Sequence, residues 1–178
     1  MEINLDKFGK VKMHNYINLT PDDKSIVLDM RNHPDIKIWM HNQSNISKKS
    51  HFDFIRGLKS DTTRCYFLIK QQQQILGSIN FSNISQYNNF VEFGLYANPF
   101  QSLKGSGRLL EAVATYYAYD KIGVQKLNIE VYSDNERAIN FYNKCGFKLI
   151  KIKNINNKKI FCMEKKKYLN NENEKNYT

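Results

Sequence analysis

Two hydrophobic periods alternate along the chain. From Val11 to Leu19 apolar and polar residues alternate loosely, as in a half-buried strand. Thr20-Pro21-Asp22-Asp23 then combines a capping hydroxyl, a proline in the first turn and early acids, which predicts a helix start. That helix runs to about Arg31, where Asn32-His33-Pro34 stops it, because the residue before a proline resists helical angles. Asp35–His41 is a short segment carrying Ile36, Trp39 and Met40. Ser47 opens a second helix with Phe52, Ile55 and Leu58 at helical spacing, ending by Ser60.

Three strand-like runs follow, Arg64–Lys70, Ile75–Ile84 and Phe90–Ala97, joined by turns at Gln71–Gln74 and Gln86–Asn89. Gly105–Ile122 reads as a strong helix, with Leu109, Val113, Tyr116 and Tyr117 on one side. Lys126–Tyr132 is a strand, Asn135–Cys145 a helix, and Phe147–Ile155 with Lys159–Lys167 a hairpin across Asn156-Asn157. The order β-αα-βββ-α-β-α-ββ predicts a mixed α/β (α+β) domain, a mostly antiparallel sheet of about seven strands flanked by about four helices. Residues 1–168 form that single domain, and the polar residues 169–178 are expected to be disordered.

Composition narrows the class. The 178 residues are 41% hydrophobic, enough for one self-sufficient core and too much for a disordered chain. No apolar run approaches the roughly 20 residues of a membrane span, and the mixed charges of Met1–Lys7 do not resemble a secretory signal. Cys65, Cys145 and Cys162 are odd in number and widely spaced, and no His pair has metal-ligand spacing. The expectation is therefore a cytoplasmic protein without disulfides or a metal.

The net charge of +10 is concentrated, because residues 144–168 hold nine lysines against one glutamate. Such a face suits an anionic partner, or equally a solvated edge strand that lysines protect from pairing. Arginine, the better reader of bases, is absent from the stretch, so the expectation is neither nucleic acid nor membrane as partner.

Two motifs carry chemistry. Leu103-Lys104-Gly105-Ser106-Gly107-Arg108 lies at a strand-to-helix junction, where glycines allow a sharp turn and backbone amides at a helix N-terminus favour an anion. About thirty residues on comes Asn135-Glu-Arg-Ala138-Ile-Asn-Phe141-Tyr142-Asn-Lys-Cys-Gly146-Phe147. Taken singly, Asn135 is a helix cap, Gly146 a helix stop and Tyr142 a core aromatic. In this order and spacing the two motifs resemble the GCN5-related N-acetyltransferase superfamily. That resemblance implies an acetyl-CoA cleft between splayed central strands, with pyrophosphate on Lys104, Gly105, Ser106, Gly107 and Arg108. Leu95, Tyr96 and Ala97 would hold the pantetheine arm, and Asn135 and Tyr142 complete the cofactor set. The family's usual Gln or Arg three residues before the first glycine is replaced by Ser102, with Gln101 one residue off.

Amide formation from a thioester needs a neutral amine and a proton for the leaving thiolate. A tyrosine hydroxyl suits the second task, so Tyr142 is the candidate acid. Glu92 and Glu130 lie on the strands flanking the cleft and are candidate bases, but which of them faces inward depends on register.

Arg31-Asn32-His33-Pro34, Trp39-Met40, His51 and Phe93-Gly94-Leu95-Tyr96-Ala97-Asn98-Pro99 are together similar to the N-acetyltransferases of pseudaminic acid biosynthesis. This implies a nucleotide-sugar partner, UDP-4-amino-4,6-dideoxy-N-acetyl-β-L-altrosamine, acetylated on its 4-amino group on the way to flagellin glycosylation. The implied acceptor set is Arg31, His33, Trp39, Met40, His51, Tyr96 and Tyr132. Arg31 suits a diphosphate and Trp39 a stacked ring, while Met40 and Tyr96 offer an apolar wall. A helix end at Arg31 and core roles for Trp39 and Met40 explain the same residues without a ligand. The alternatives are a ribosomal-protein or peptide N-terminal acetyltransferase, and a non-catalytic acetyl-CoA- or nucleic-acid-binding module. Either a monomer or a homodimer fits.

Overall fold

The computed structural model describes residues 1–101 and 103–168. Ser102 and the expected disordered tail, 169–178, lie outside the described residues. The strands are β1 (Glu2–Leu5), β2 (Gly9–Asn15), β3 (Cys65–Gln71), β4 (Gln74–Ser82), β5 (Phe90–Ala97), β6 (Lys126–Tyr132), β7 (Lys148–Ile155) and β8 (Lys158–Lys166). The helices are α1 (Pro21–Asn32), α2 (Pro34–Lys37), α3 (Lys48–Gly57), α4 (Ser106–Tyr116) and α5 (Glu136–Lys144). All eight strands form one sheet in the order β1-β2-β3-β4-β5-β6-β8-β7. Only β5 and β6 pair in parallel, so the architecture is the mixed, mostly antiparallel one expected.

Local chemistry sets the element ends. Thr20, Ser47 and Asn135 each accept a hydrogen bond from a backbone amide three residues on, which caps α1, α3 and α5. The β7–β8 connection is the tight turn that Asn156-Asn157 suggests, with both residues at positive φ (49° and 61°). Strand β1 has no counterpart in the sequence reading. It is four residues long and buries Ile3 only by pairing with β2, so its apolar pattern is too short to register. Beyond Tyr116 the α4 ladder widens into a π-turn over Tyr117–Ile122 and stops at Gly123, φ 86°.

The sheet separates two helical layers. On one face Ile79, Phe81, Val91, Phe93, Leu127 and Val131 form the larger core with α4, the π-turn and α5. On the other, Leu68 packs with Tyr16, Val27, Met30, Ile55 and Leu58 beneath α1 and α3. The lysine-rich end is less of a free face than its sequence suggests. Lys153 pairs with Glu130, Lys165 with the nearly buried Glu111 at 2.7 Å, and Lys167 with Asp120 at 3.6 Å. Lys148 and Lys151 remain on the exposed edge strand β7, beside exposed Leu149, Ile150 and Ile152.

One glycine lets β4 approach β5 this closely. A Cβ on Gly77 would lie 2.2 Å from the carbonyl oxygen of Tyr96, and its φ of 153° disfavours a side chain besides. Gly77→Ala is expected to destabilise the fold by about 3 kcal/mol, measured by denaturant unfolding, because the obstructing atoms are backbone.

Candidate active site

Strand register answers the question that sequence left open. Residues paired in register point to the same side of a sheet. The rungs Ser78↔Tyr96, Asn80↔Gly94 and Ser82↔Glu92 place a polar row on the α1–α3 face. Glu92 pairs in turn with Asn128, and strand alternation carries Glu130 and Tyr132 onto that same face. Both candidate carboxylates therefore look toward α1 and α3.

The parallel pairing stops after three rungs, at Glu92↔Asn128. Beyond it β5 continues with β4 to Ala97, while β6 continues with β8 to Tyr132. The gap opens into a cavity of ≈ 700 Å³ that passes through the sheet. Its lining comes from both faces: Arg31, Trp39, Glu92, Tyr96 and Glu130 on the α1–α3 side, and Phe93, Ala138 and Tyr142 on the α5 side. On the cleft side, β5 beyond Glu92 has no strand partner, so backbone groups are free to bind an extended ligand or a developing oxyanion.

Tyr142 stands at this opening. Its ring is buried against Phe93, Phe141 and Phe147, with centroids 5.0–6.0 Å away. Its hydroxyl makes no hydrogen bond among the described residues and faces the cavity. Burial first, then the neighbouring Cys145 and Glu111, push its pKa far above that of free tyrosine. The hydroxyl thus stays protonated and available as a donor.

The two glutamates differ in their commitments. Glu130 is held by Lys153 and lies 3.9 Å from His41. Glu92 makes no hydrogen bond or ion pair among the described residues, which leaves its carboxylate free to take a proton. Asn135, besides lining the cavity, is engaged as the α5 cap through Ala138 at 3.0 Å.

The glycine turn lies where the chain enters α4. Gly105 adopts φ 87°, and Ser106 donates to the Leu103 carbonyl at 3.1 Å. Among the described residues α4 is the one α-helix whose N-terminus no side chain caps. Amides of Gly107 and Arg108 are therefore open to an anion, with the helix dipole in support. Gly107 lies against Phe141 of α5, so the turn and the Tyr142 helix are direct neighbours. These features fit a pyrophosphate leading into the cleft.

On the opposite face the structure gathers Arg31, Trp39, Met40, His51, Tyr96 and Tyr132 around the cavity. One Arg31 nitrogen donates to the Asn42 carbonyl at 2.7 Å, while its Nη1 is buried with no partner among the described residues. Burial lowers the Arg31 pKa, so an anion there would restore lost solvation. His33 is not in the lining. It accepts from the Asp35 amide at 3.3 Å as the α2 cap, and its ring meets Phe100 edge-on. His51 is buried between α1 and α3, its Nε2 3.1 Å from the Lys24 carbonyl. Sequence reasoning missed Tyr16, whose hydroxyl is 2.6 Å from Ser78 Oγ and 3.4 Å from the Tyr96 hydroxyl. It also missed His41, whose Nδ1 is 3.4 Å from the Tyr132 hydroxyl. No local pattern marks either residue, because each meets its partners from a distant element.

Residues 28–147 match the family model described as the acetyltransferase (GNAT) family. The chain belongs to the GNAT family. It is 36% identical over 137 residues to the acetyltransferase PseH of Campylobacter jejuni serotype O:2, covering 77% of this chain and 84% of that one. The crystal structure of C. jejuni PseH in complex with acetyl coenzyme A superimposes with TM-score 0.71 at 26% identity, covering 89% of this chain and 99% of that one. A spermidine N-acetyltransferase from Vibrio cholerae, solved with CoA and spermine, shares the fold with TM-score 0.77 at 18% identity, over 88% and 95% of the two chains. GNAT membership makes the chain an N-acetyltransferase. Among the described residues no helix is long and apolar enough to cross a membrane.

His51 supplies a pH test of this packing. Burial lowers its pKa below the ordinary 6.5, so below about pH 6.5 the unfolded chain binds the proton more readily. Stability is expected to fall as pH drops from 7 to 5, with His14, lowered likewise, contributing. His51→Gln should flatten that fall in a thermal-unfolding series while lowering the midpoint at pH 7.

Proposed function

We propose that this protein transfers acetyl from acetyl-CoA to the 4-amino group of UDP-4-amino-4,6-dideoxy-N-acetyl-β-L-altrosamine. The reaction belongs to pseudaminic acid biosynthesis for flagellin glycosylation in the cytoplasm. The observation that carries the reading is the opening between β5 and β6, which has an anion-ready helix terminus on one face and an arginine-lined acceptor cavity on the other. The 36% identity to PseH supports the choice of acceptor. Two substrates entering from opposite faces and meeting at one opening suit direct transfer in a ternary complex.

When bound, acetyl-CoA supplies an acetyl group activated as a thioester. Gly107 and Arg108 amides hold the pyrophosphate, and the unpaired edge of β5, over Leu95–Ala97, orients the pantetheine arm. On the acceptor side the spare Arg31 nitrogen binds a phosphate oxygen, while Trp39, Met40 and Tyr96 wall the sugar. Glu92 takes a proton from the acceptor ammonium, which frees the nitrogen lone pair. Glu130, held by Lys153, does not compete for that proton. The Tyr142 hydroxyl donates to the departing sulfur. His33 lies outside the cavity lining and caps α2 through Nδ1.

Purified protein incubated with acetyl-CoA and the UDP-amino sugar is expected to give the N-acetylated sugar nucleotide by mass spectrometry. Acetylation of peptide amines instead of the sugar would overturn the acceptor assignment. Tyr142→Phe should lower kcat by about 10²–10⁴-fold with little change in the KM for acetyl-CoA. Full turnover in that variant would remove Tyr142 from its role.

A further inference from the structure

Asn128 carries a buried polar atom that no group among the described residues satisfies. It lies in the middle of β6, and its Oδ1 has no hydrogen-bond partner among those residues. Buried amide oxygens rarely go without a donor, because the unmade bond costs much of their lost hydration. The flanking rungs are both acidic, with Glu92 in register on β5 and Glu164 in register on β8. Two carboxylates can only accept, so neither serves Oδ1 in its ionised form.

Those carboxylates are not equivalent. Lys126 engages Glu164 at 3.4 Å. Glu92 has no protein partner among the described residues and lines the reaction cavity. A carboxyl group becomes a donor once it is protonated, and Glu92 is the one of the two that the proposed reaction protonates. We infer that Asn128 is a positioning residue for the general base, its Oδ1 accepting a hydrogen bond from the protonated Glu92 carboxyl. The inference rests on the reading of Glu92 as base.

The proton account closes. An acceptor ammonium gives one proton to a Glu92 oxygen, leaving a neutral amine whose lone pair forms the new C–N bond. The nitrogen's second proton reaches the departing sulfur through the Tyr142 hydroxyl, as the C–S bond breaks. Glu92 then returns the first proton to solvent. A hydrogen bond made only by the protonated carboxyl favours that form at the moment the ammonium gives up its proton.

Other charges also reach Glu92. From β6, β7 and β8 these are Glu130, Lys153 and Cys162, and Lys153 interacts with both glutamates. From α1, α2 and the segment before α3 the cavity receives Arg31, Asp35 and His41, and near β3 it receives Arg64 and Tyr66. Asn128 differs from all of these in being neutral, in register and unable to titrate.

The test is the pH dependence of kcat at saturating substrates, with a carbon-13 NMR titration of the Glu92 carboxyl in the free enzyme. Asn128→Leu is expected to move the acid limb and the Glu92 titration down by about half to one pH unit, the worth of one neutral hydrogen bond. Asn128→Asp keeps the shape and places a like charge beside Glu92, so both readouts should move up. Should the leucine variant not fold, the isosteric aspartate decides. Titrations unmoved in these variants, while Glu92→Gln abolishes the acid limb, would overturn the role of Asn128 and leave Glu92 as base. An acid limb that persists in Glu92→Gln would instead remove Glu92 as the base.

Discussion

The parallel pairing of β5 with β6 lasts for three rungs, and the whole site depends on where it stops. Each strand is held by its other neighbour, β5 by β4 from Glu92 to Ala97 and β6 by β8 from Lys126 to Tyr132. The two therefore diverge with their outer ladders intact. Beneath the divergence sit Phe93, Tyr142 and Phe147, an aromatic wedge whose burial replaces the contacts that continued pairing would give. Closing the gap would require expelling that wedge from the core. The opening is thus a product of packing.

Because the gap runs through the sheet, it joins two surfaces of different character. The α4–α5 face carries a helix start without a side-chain cap and a protonated tyrosine. The α1–α3 face carries two carboxylates and a half-buried arginine. In-register strand residues share a face, so one register brings Glu92, Asn128, Glu130 and Tyr132 to the acceptor side together. A slip of one residue in β6 would turn Glu130 toward the α4–α5 core and Ile129 toward the α1–α3 face.

Much of this was legible before any fold was known. The caps at Thr20, Ser47 and Asn135, the glycine turn at Gly105 and the tight turn at Asn156-Asn157 depend on neighbouring residues, and a local pattern records them. The strand limits Phe90–Ala97 and Lys126–Tyr132 were readable for the same reason. The charge excess was readable too, but its meaning was not. Lys153 and Lys165 belong to pairs with Glu130 and Glu111, partners 23 and 54 residues away in sequence.

The sequence by itself determined the strands other than β1, the main helices with their caps, their order and the glycine turn before α4. Each is set by backbone preferences that act over a few residues. Tertiary structure decided which faces the glutamates occupy, that Glu130 is engaged while Glu92 is free, and that His33 caps a helix outside the cavity. It also brought Tyr16 to Ser78 and Asn128 beside Glu92. The reason is that cross-strand register and helix docking are fixed by burial across the whole chain, whereas a local pattern specifies only which side chains are available to be brought together.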